Sequence, residues 1–483
     1  MSKEILINVE SQEKRVAILN DGRVEEFYIE RPQDKTIVGN IYKGKIEAVL
    51  PSIGAAFVDI GLIKKGFLYL SEIEYFFESF ETQGASTASA PREVKKGQEV
   101  LVQVVKESFG TKGPRLSCHI GLAGRYLVIM PQDIQVGISR RIEDEEERRR
   151  LRLALSELRL PKDVGFIVRT AACGKTKQEL LRDAHFLIKL WKRMERIIQN
   201  KKAPALIYEE YDLTLRVIRD SFSEDVSKLI VDSKIEYYRI QRFMKAFLSY
   251  LVKRVEFYKG DDLFATGDIE RQINRMFESK VYLKSKAYIV IEPTEGLVVI
   301  DVNSGGFRKK LNQEETAFKI NCEVAVEIAH QLILRDLGGI IVIDFIDMEK
   351  ETHRREVLNV LKHALSRDRA KYDILGISKF GVVEMTRERI HNTVQTLSYQ
   401  ACPYCQGKGK VRSPITTSIY ALRELRRFLK DKSLRQVNLI LNPSVIDEVL
   451  KDKANLGFIE RKFRTKINLV SNPASHIEDI KIS

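Results

Sequence analysis

Short β-branched runs set the rhythm of the first 120 residues. Residues 5–9, 16–19 and 24–29 are apolar stretches, the last two joined through Asn20-Asp21-Gly22. Asp-Gly is a strong turn signal, so the chain is expected to open as hairpin-linked strands. Between Val38 and about His119, short strand-like runs alternate with glycines and helical spacing is scarce, which predicts a small β-barrel. Residues 81–90 (ETQGASTASA) read as a polar, small-residue loop within it. The pattern then turns helical. Residues 143–158 form a charged amphipathic helix, 162–168 a strand, and Thr176-x-x-Glu179 a capping box that opens a long helix through 198. From 217 to about 277 the spacing is predominantly helical, with scattered basic residues.

Strands return near 282. Residues 282–300 read as strand, turn and strand around Glu292-Pro-Thr-Glu-Gly296. A helix follows over 314–336, with Phe318, Ala325, Ile328 and Leu332 on one face and Gly338-Gly339 ending it. Then come a strand to Asp344, a helix over 350–369 and a strand over 382–385. This order implies a mixed α/β sheet in which the strand ends at 301 and 344 can be neighbours. Beyond Ser413 lies a small βαβ-like unit: a strand at 437–441, a helix from Pro443 and a strand at 467–470.

Composition narrows the class. At 483 residues the chain is too long for one core, and 44% hydrophobic with 31% charged residues is typical of a folded soluble protein. A net charge of +14 and a pI near 9.3 favour an anionic partner such as nucleic acid, a membrane surface or an acidic protein. No apolar run approaches the ~18 residues that span a bilayer, and the N-terminus lacks a signal-peptide pattern, so a cytoplasmic protein is expected.

Two aspartates carry the first candidate chemistry. Asp301 closes Leu297-Val-Val-Ile-Asp, and Asp344 closes Gly339-Ile-Ile-Val-Ile-Asp. Carboxylates at the carboxyl ends of strands sit where α/β sheets meet ligands. With Asn303, and with Asp347 as a further candidate ligand, they make an all-oxygen set suited to Mg²⁺ and phosphodiester hydrolysis. The ordinary alternative is turn or helix-capping aspartates. In the barrel, Phe57 and Phe67 lie among glycines and lysines, with Lys106, Lys112 and Arg115 following. Aromatic faces stack bases while lysines track phosphates, although each phenylalanine alone would suit a barrel core. Arg169-Thr170 ends a strand and could clasp a terminal phosphate, or form a surface salt bridge. Lys379, Arg387 and Arg389 could touch substrate phosphates or stay solvated.

Five cysteines are present. Cys118, Cys173 and Cys322 read as isolated reduced thiols. Cys402-Pro-Tyr-Cys405-Gln-Gly407-Lys-Gly409 has zinc-knuckle spacing, and its basic glycine-rich continuation argues against a thioredoxin-like redox site. Structural zinc takes four ligands, and His391 is the only nearby imidazole. The simplest completion is a Cys₄ site shared by two copies of the chain in a symmetric dimer.

With these residues the chain resembles the ribonuclease E/ribonuclease G family of bacterial endoribonucleases, over essentially its whole length. The carrying motifs are VGNIYKGKIEAVLPSIGAAFVDIG, FIVRTAA, VVIDVNSG, RDLGGIIVIDFIDM, SKFGVVEMTRER and CPYCQGKGK. The family's long C-terminal scaffold arm is missing, so the likeness is to a ribonuclease G or a short ribonuclease E. The resemblance implies a multidomain α/β and β architecture. A split RNase H-like domain (1–35 and 216–279) encloses an S-one-type OB RNA-binding barrel (36–119) and a 5′-sensor region (120–215). A DNase I-like α/β catalytic domain (280–400), a zinc link (401–413) and a small α/β dimerisation domain (414–483) follow.

The resemblance also implies the roles. Asp301 and Asp344 would hold a catalytic Mg²⁺ with Asn303 assisting, and Cys402 and Cys405 would hold a structural Zn²⁺ shared between two chains. Phe57, Phe67 and Lys112 would grip RNA, joined by Lys106 from the barrel's own residue pattern, and Arg169, Thr170 and Val128 would sense a 5′-monophosphate. The expected activity is Mg-dependent cleavage of single-stranded RNA, mRNA and rRNA precursors, stimulated by a 5′-monophosphate and leaving a 5′-phosphate and a 3′-hydroxyl. rRNA processing and mRNA decay are the expected settings. A homodimer through the zinc link, with pairing into a homotetramer, is the expected assembly. The alternative is a non-catalytic RNA-binding scaffold protein.

Overall fold

The computed structural model describes residues 2–73, 94–108, 112–131, 133–134, 136–158, 160–161, 164–294, 296–306, 312–378, 381–389, 398–430, 432 and 434–483. The loop expected at 81–90, Lys379 and His391 lie outside the described residues. The chain divides into two compact units, Met1–Leu397 and Ser398–Ser483. Among the described residues, no helix is long and apolar enough to cross a membrane.

The first unit opens with β1 (Lys3–Val9), β2 (Lys14–Asn20) and β3 (Arg23–Glu30), antiparallel in order. Asp21 and Gly22 make the β2–β3 turn at positive φ, as the Asp-Gly signal requires. The barrel follows: β4 (Ile41–Leu50), β5 (Ala55–Asp59), β6 (Gly66–Tyr69), β7 (Glu99–Lys106) and β8 (Arg115–Ser117). Strand β4 pairs with both β5 and β7, which closes the ring β4-β5-β6-β8-β7. Ile46, Ala56, Val58, Leu68, Val102 and Leu116 fill it.

A second small sheet comes next, built from β9 (Leu122–Ala123), β10 (Leu127–Met130), β11 (Val136–Ile138) and β12 (Gly165–Val168) in the order β11-β12-β10-β9. Helices α1 (Glu145–Ser156) and α2 (Lys177–Asn200) share its core through Leu151, Leu155, Leu180 and Leu187. The capping box forms as its sequence predicts. Thr176 Oγ1 accepts from Glu179 N–H, and Glu179 Oε2 accepts from Thr176 N–H at 2.8 Å. Strand β13 (Ala205–Tyr208) then returns to the edge of β4.

The segment expected to be helical over 217–277 is not uniformly so. Helices α3 (Leu213–Ser221), α4 (Lys234–Phe247) and α5 (Ile269–Arg275) are interrupted by β14 (Val226–Val231) and β15 (Val255–Phe257). Strand β14 pairs in parallel with β1, giving a five-stranded sheet in the order β15-β14-β1-β2-β3. A short apolar run cannot be assigned to strand or helix by its spacing. Here the distant β1 edge decides.

The last sheet of this unit has six strands: β16 (Lys280–Tyr282), β17 (Tyr288–Pro293), β18 (Leu297–Asn303), β19 (Gly339–Asp344), β20 (Tyr372–Ile377) and β21 (Val382–Arg387). Their order is β16-β17-β18-β19-β21-β20. Helices α6 (Gln313–Leu334) and α7 (Glu351–Leu365) pack on one face through Val324, Ile328, Val357 and Leu361, against Ile300, Ile341 and Ile343. Burial along β18 alternates as a half-covered strand should, with Ile300 and Val302 inward and Val299, Asp301 and Asn303 outward.

Arg387 does not reach outward to a substrate. Its guanidinium is buried and donates to Asp368 Oδ2 (2.6 Å), Asp336 Oδ1 (2.9 Å) and the Leu337 carbonyl (2.7 Å). Burying an ion costs several kcal/mol unless its donors are matched. This surround makes Arg387 a fastener of the end of β21.

The second unit holds α8 (Pro414–Lys430), β22 (Gln436–Leu441), α9 (Pro443–Lys451), α10 (Lys453–Phe463), β23 (Lys466–Ser471) and β24 (Lys481–Ile482). Strands β22 and β23 are parallel, as the βαβ pattern implies, and β24 pairs antiparallel with β22.

One ionic contact fixes the first sheet to its helices and carries a pH signature. Asp212 caps α3 by accepting from Leu215 N–H and takes hydrogen bonds from Lys14 Nζ (2.9 Å) and Arg239 Nη1 (2.6 Å). Burial alone would raise its carboxyl, but these two cations outweigh it and hold the group at about 2. The unfolded value is about 3.9. The stabilisation is therefore full above about pH 4 and is lost as pH falls toward 2, with a size on the order of 2 kcal/mol. Urea midpoints measured from pH 7 down to pH 3 should fall more steeply for the wild type than for Asp212→Asn. Parallel curves would remove Asp212 as a source of acid sensitivity.

Candidate active site

Strands β18 and β19 run parallel, and the pairing register places Asp301 directly beside Asp344. Neighbouring strands lie roughly 5 Å apart. Both side chains are exposed on the outward face, at the carboxyl ends of their strands. Asn303, two residues along the same face, donates from Nδ2 to Asp301 Oδ2 at 2.8 Å. Neither carboxylate has a salt bridge to a basic side chain among the described residues. Like charges in adjacent positions repel, so this pairing calls for a cation. The donors are hard oxygens, few in number and open to solvent, which fits Mg²⁺ completed by waters and phosphate.

Asp347 lies three residues beyond Asp344. It is exposed, and a Cβ placed on Gly381 would lie 3.7 Å from its Oδ1, so it rests against the turn into β21. Among the described residues, no three His, Cys, Asp or Glu side chains are grouped so that they alone could hold a metal ion.

The loop after Asp344 is held from α6. The buried Asn321 donates to the Ile346 carbonyl (2.7 Å) and accepts from Ile346 N–H (3.1 Å). Glu314 accepts from the backbone N–H groups of Glu349 (2.8 Å) and Lys350 (3.1 Å) and meets His353 Nδ1 at 2.7 Å. The sequence gives these residues away only as helix positions, so their positioning work was not foreseen.

On the barrel, Phe57 and Phe67 are register partners on the outer wall, half-exposed and outside the core. Their rings meet edge to face at 6.2 Å, and Tyr69 continues the row 5.1 Å from Phe67. Arg115 lies 4.9 Å over the Tyr69 ring. Tyr69 was missed, although the alternation Phe67-Leu68-Tyr69 puts both rings on one face. Lys106 is exposed and pairs in register with Arg115, and Lys112 is exposed. Beside Phe57, an open pocket of about 530 Å³ is bordered by Lys64, Lys65 and Lys96.

Val128, Arg169 and Thr170 come together at one corner of the second sheet. Val128 on β10 is opposite Ile167 on β12, two residues before Arg169. Arg169 Nη1 pairs with Asp220 Oδ1 (2.7 Å) and donates to the Gly124 carbonyl (2.5 Å). Burial would raise the Asp220 carboxyl, but Arg219 and Arg169 hold it below the usual range. Thr170 is exposed, its hydroxyl 3.4 Å from that of Ser139. The turn beneath is shaped by buried Asp183, which accepts from the N–H groups of Arg125, Tyr126 and Leu127.

In the second unit, Cys402 and Cys405 are free thiols in a turn before α8, not at a strand-to-helix junction. Backbone N–H groups of Cys405 and Tyr404 hold the Cys402 thiol low, and Gly409 N–H donates to Cys405 Sγ at 3.3 Å. Gln406, Gly407 and Gly409 take positive φ, which winds the chain back over the sulfurs. Among the described residues, His476 lies against this turn, which sequence spacing did not suggest. Its Nε2 meets the Tyr404 carbonyl (2.7 Å), and its Nδ1 accepts from Glu478 N–H (3.1 Å). With both nitrogens engaged, it supplies no third ligand.

The model of the ribonuclease E/G family matches residues 121–390, that of the S1 RNA binding domain residues 35–119, and that of the RNase E/G thioredoxin-like domain residues 401–483. Ribonuclease G of Escherichia coli strain K12 is 42% identical over 434 residues, 88% of either chain. Ribonuclease G of Haemophilus influenzae is 39% identical over 456 residues, 94% of this chain and 93% of that one. Ribonuclease E of Haemophilus influenzae is 41% identical over 479 residues, which cover 98% of this chain but 51% of that longer protein. The chain belongs to the ribonuclease E/G family.

Proposed function

We propose that this chain is a Mg²⁺-dependent endoribonuclease that hydrolyses single-stranded RNA to leave a 5′-phosphate and a 3′-hydroxyl. The supporting observation is the Asp301–Asp344 register pair, two exposed carboxylates without a salt bridge among the described residues, in a chain of the ribonuclease E/G family. Asp301 and Asp344 would hold the ion, and Asn303 would fix Asp301 through its 2.8 Å bond. When bound, Mg²⁺ supplies Lewis-acid stabilisation of phosphoryl charge and orients the attacking water. Water oxygen joins phosphorus, the bond from phosphorus to O3′ breaks, and O3′ takes up a proton.

Placement supports the remaining roles. The outer barrel wall, with Phe57, Phe67 and Tyr69, would stack bases, while Lys106, Lys112 and Arg115 meet phosphates. Arg169 would receive a 5′-monophosphate on the edge of its fork not tied to Asp220, with Thr170 hydrogen bonding and Val128 lining the pocket. Two thiolates per chain support a zinc shared between two copies. The seven-part domain division, with a split RNase H-like sheet and a DNase I-like catalytic sheet, belongs to the same reading, as do a cytoplasmic setting and work in rRNA processing and mRNA decay.

Asp301→Asn and Asp344→Asn should each lower Mg²⁺-dependent cleavage of an unstructured RNA on the order of 10³-fold while leaving RNA binding intact. Wild-type rates in either variant would overturn the site. An RNA bound but never cut by the unaltered chain would favour a non-catalytic scaffold.

The 5′ end gives a separate comparison. Monophosphorylated RNA should be cut roughly ten-fold faster than triphosphorylated RNA, and Arg169→Gln should erase that difference. Equal rates in the unaltered chain would remove the sensor role.

Zinc chelation should halve the mass seen by light scattering. An assembly unchanged by chelation would sink the shared knuckle.

A further inference from the structure

The outward face of the catalytic sheet carries more than carboxylates. One row across it, read from the register, is Tyr282–Tyr288–Asn303. The next row is Lys280–Val290–Asp301–Asp344. Tyr288 is thus the direct neighbour of Asn303, and Tyr282 lies one strand further out. Tyr282 is 70% exposed, far more than a ring placed there for packing would be. The two rings stand 5.7 Å apart and tilted by 47°, so they do not close face to face on each other. Lys280 Nζ lies 5.5 Å from the centre of the Tyr288 ring.

The β16–β17 hairpin that bears these rings is fastened to the exit of β18. Leu283 N–H donates to the Ala287 carbonyl (2.9 Å), and Ser285 N–H donates to Glu323 of α6 (3.3 Å). Gly305, at φ +56°, passes so close under the hairpin that a Cβ there would lie 2.2 Å from the Lys286 carbonyl oxygen. The rings therefore keep a fixed offset from the carboxylates, roughly 8 to 16 Å, one to three strands across and two residues along.

Resting on the nuclease reading above, we propose that Tyr282 and Tyr288, with Lys280, form a stacking subsite for a nucleobase of single-stranded RNA next to the phosphate held at Asp301 and Asp344. Three features favour RNA as the occupant. The rings border the phosphodiester site on the same face. The exposed Lys280, Lys284 and Lys286 supply positive charge. Base-on-aromatic stacking works with any base, as suits a flanking nucleotide. Lysines on an edge strand also deter strand addition, but that task asks for no aromatic rings on the carboxylate face.

The test uses a single-site RNA and a set of copies, each with one abasic nucleotide near the cut. In the unaltered chain, one or two abasic positions should lower kcat/KM on the order of ten-fold. In the Tyr282→Ala/Tyr288→Ala variant those positions should cost nothing further, while Tyr282→Phe/Tyr288→Phe should behave as wild type. Equal abasic penalties in wild type and alanine variant, or none in either, would overturn the subsite. If the unaltered chain cut no RNA, the nuclease reading would fall, and anisotropy of a fluorescent RNA in EDTA would then decide this one. Binding weakened about ten-fold by the alanine pair would sustain the subsite, and unchanged binding would overturn it.

Discussion

The parallel pairing of β18 with β19 in a single register is the constraint on which the candidate active site rests. Side chains alternate across a sheet, so a slip of one residue would send Asp344 to the helix-covered face while Asp301 stayed outside. The register is guarded by burial. Ile300 and Val302 on one strand and Ile341 and Ile343 on the other face α6 and α7, and none could be turned to solvent without opening the core. Apolar packing on one face thus fixes charge on the other. The carboxylates pay nothing toward their own placement.

Helix α6 does more than cover that face. Asn321 and Glu314 project from it to hold the backbone that leaves β19, and Glu323 holds the hairpin that precedes β17. Further back, Glu327 meets Arg23 at 2.6 Å, and His330 Nε2 lies 2.8 Å from the Val24 carbonyl, both on β3. One helix therefore ties the sheet formed by the start of the chain to both flanks of the aspartate pair. Arg387 does similar work at the opposite end of β19, where three acceptors around one guanidinium lock β21 to the turn before Gly339.

Much of this was legible locally. The apolar runs ending in Asp301 and Asp344, the capping box at Thr176 and the barrel's alternating strands carry their structure in neighbouring residues. Other features depend on partners far along the chain. Val226–Val231 is a strand because β1 lies beside it, and nothing within the run itself distinguishes it from helix. Arg387, at the end of a strand, reads as a surface cation until Asp336 and Asp368 fold around it. Asp347 rests against the turn at Gly381, just before Val382, the register partner of Asp344. The parallel sense of β18 and β19 was implied by strand–helix–strand order, but their register was not.

The parallel join between β1 and β14 also has a temporal side. Strand β1 is made well before its partner, which begins at Val226, more than 200 residues later. At about 5–20 residues per second, the ribosome takes roughly 10–40 s to deliver it. Through that interval the barrel can close on its own contacts, while β1, β2 and β3 wait as a hairpin sheet with an open apolar edge. Such an edge invites pairing with other nascent chains. Crowded translation is thus where this fold is most exposed to error, and a holding chaperone would matter most before Val231 emerges.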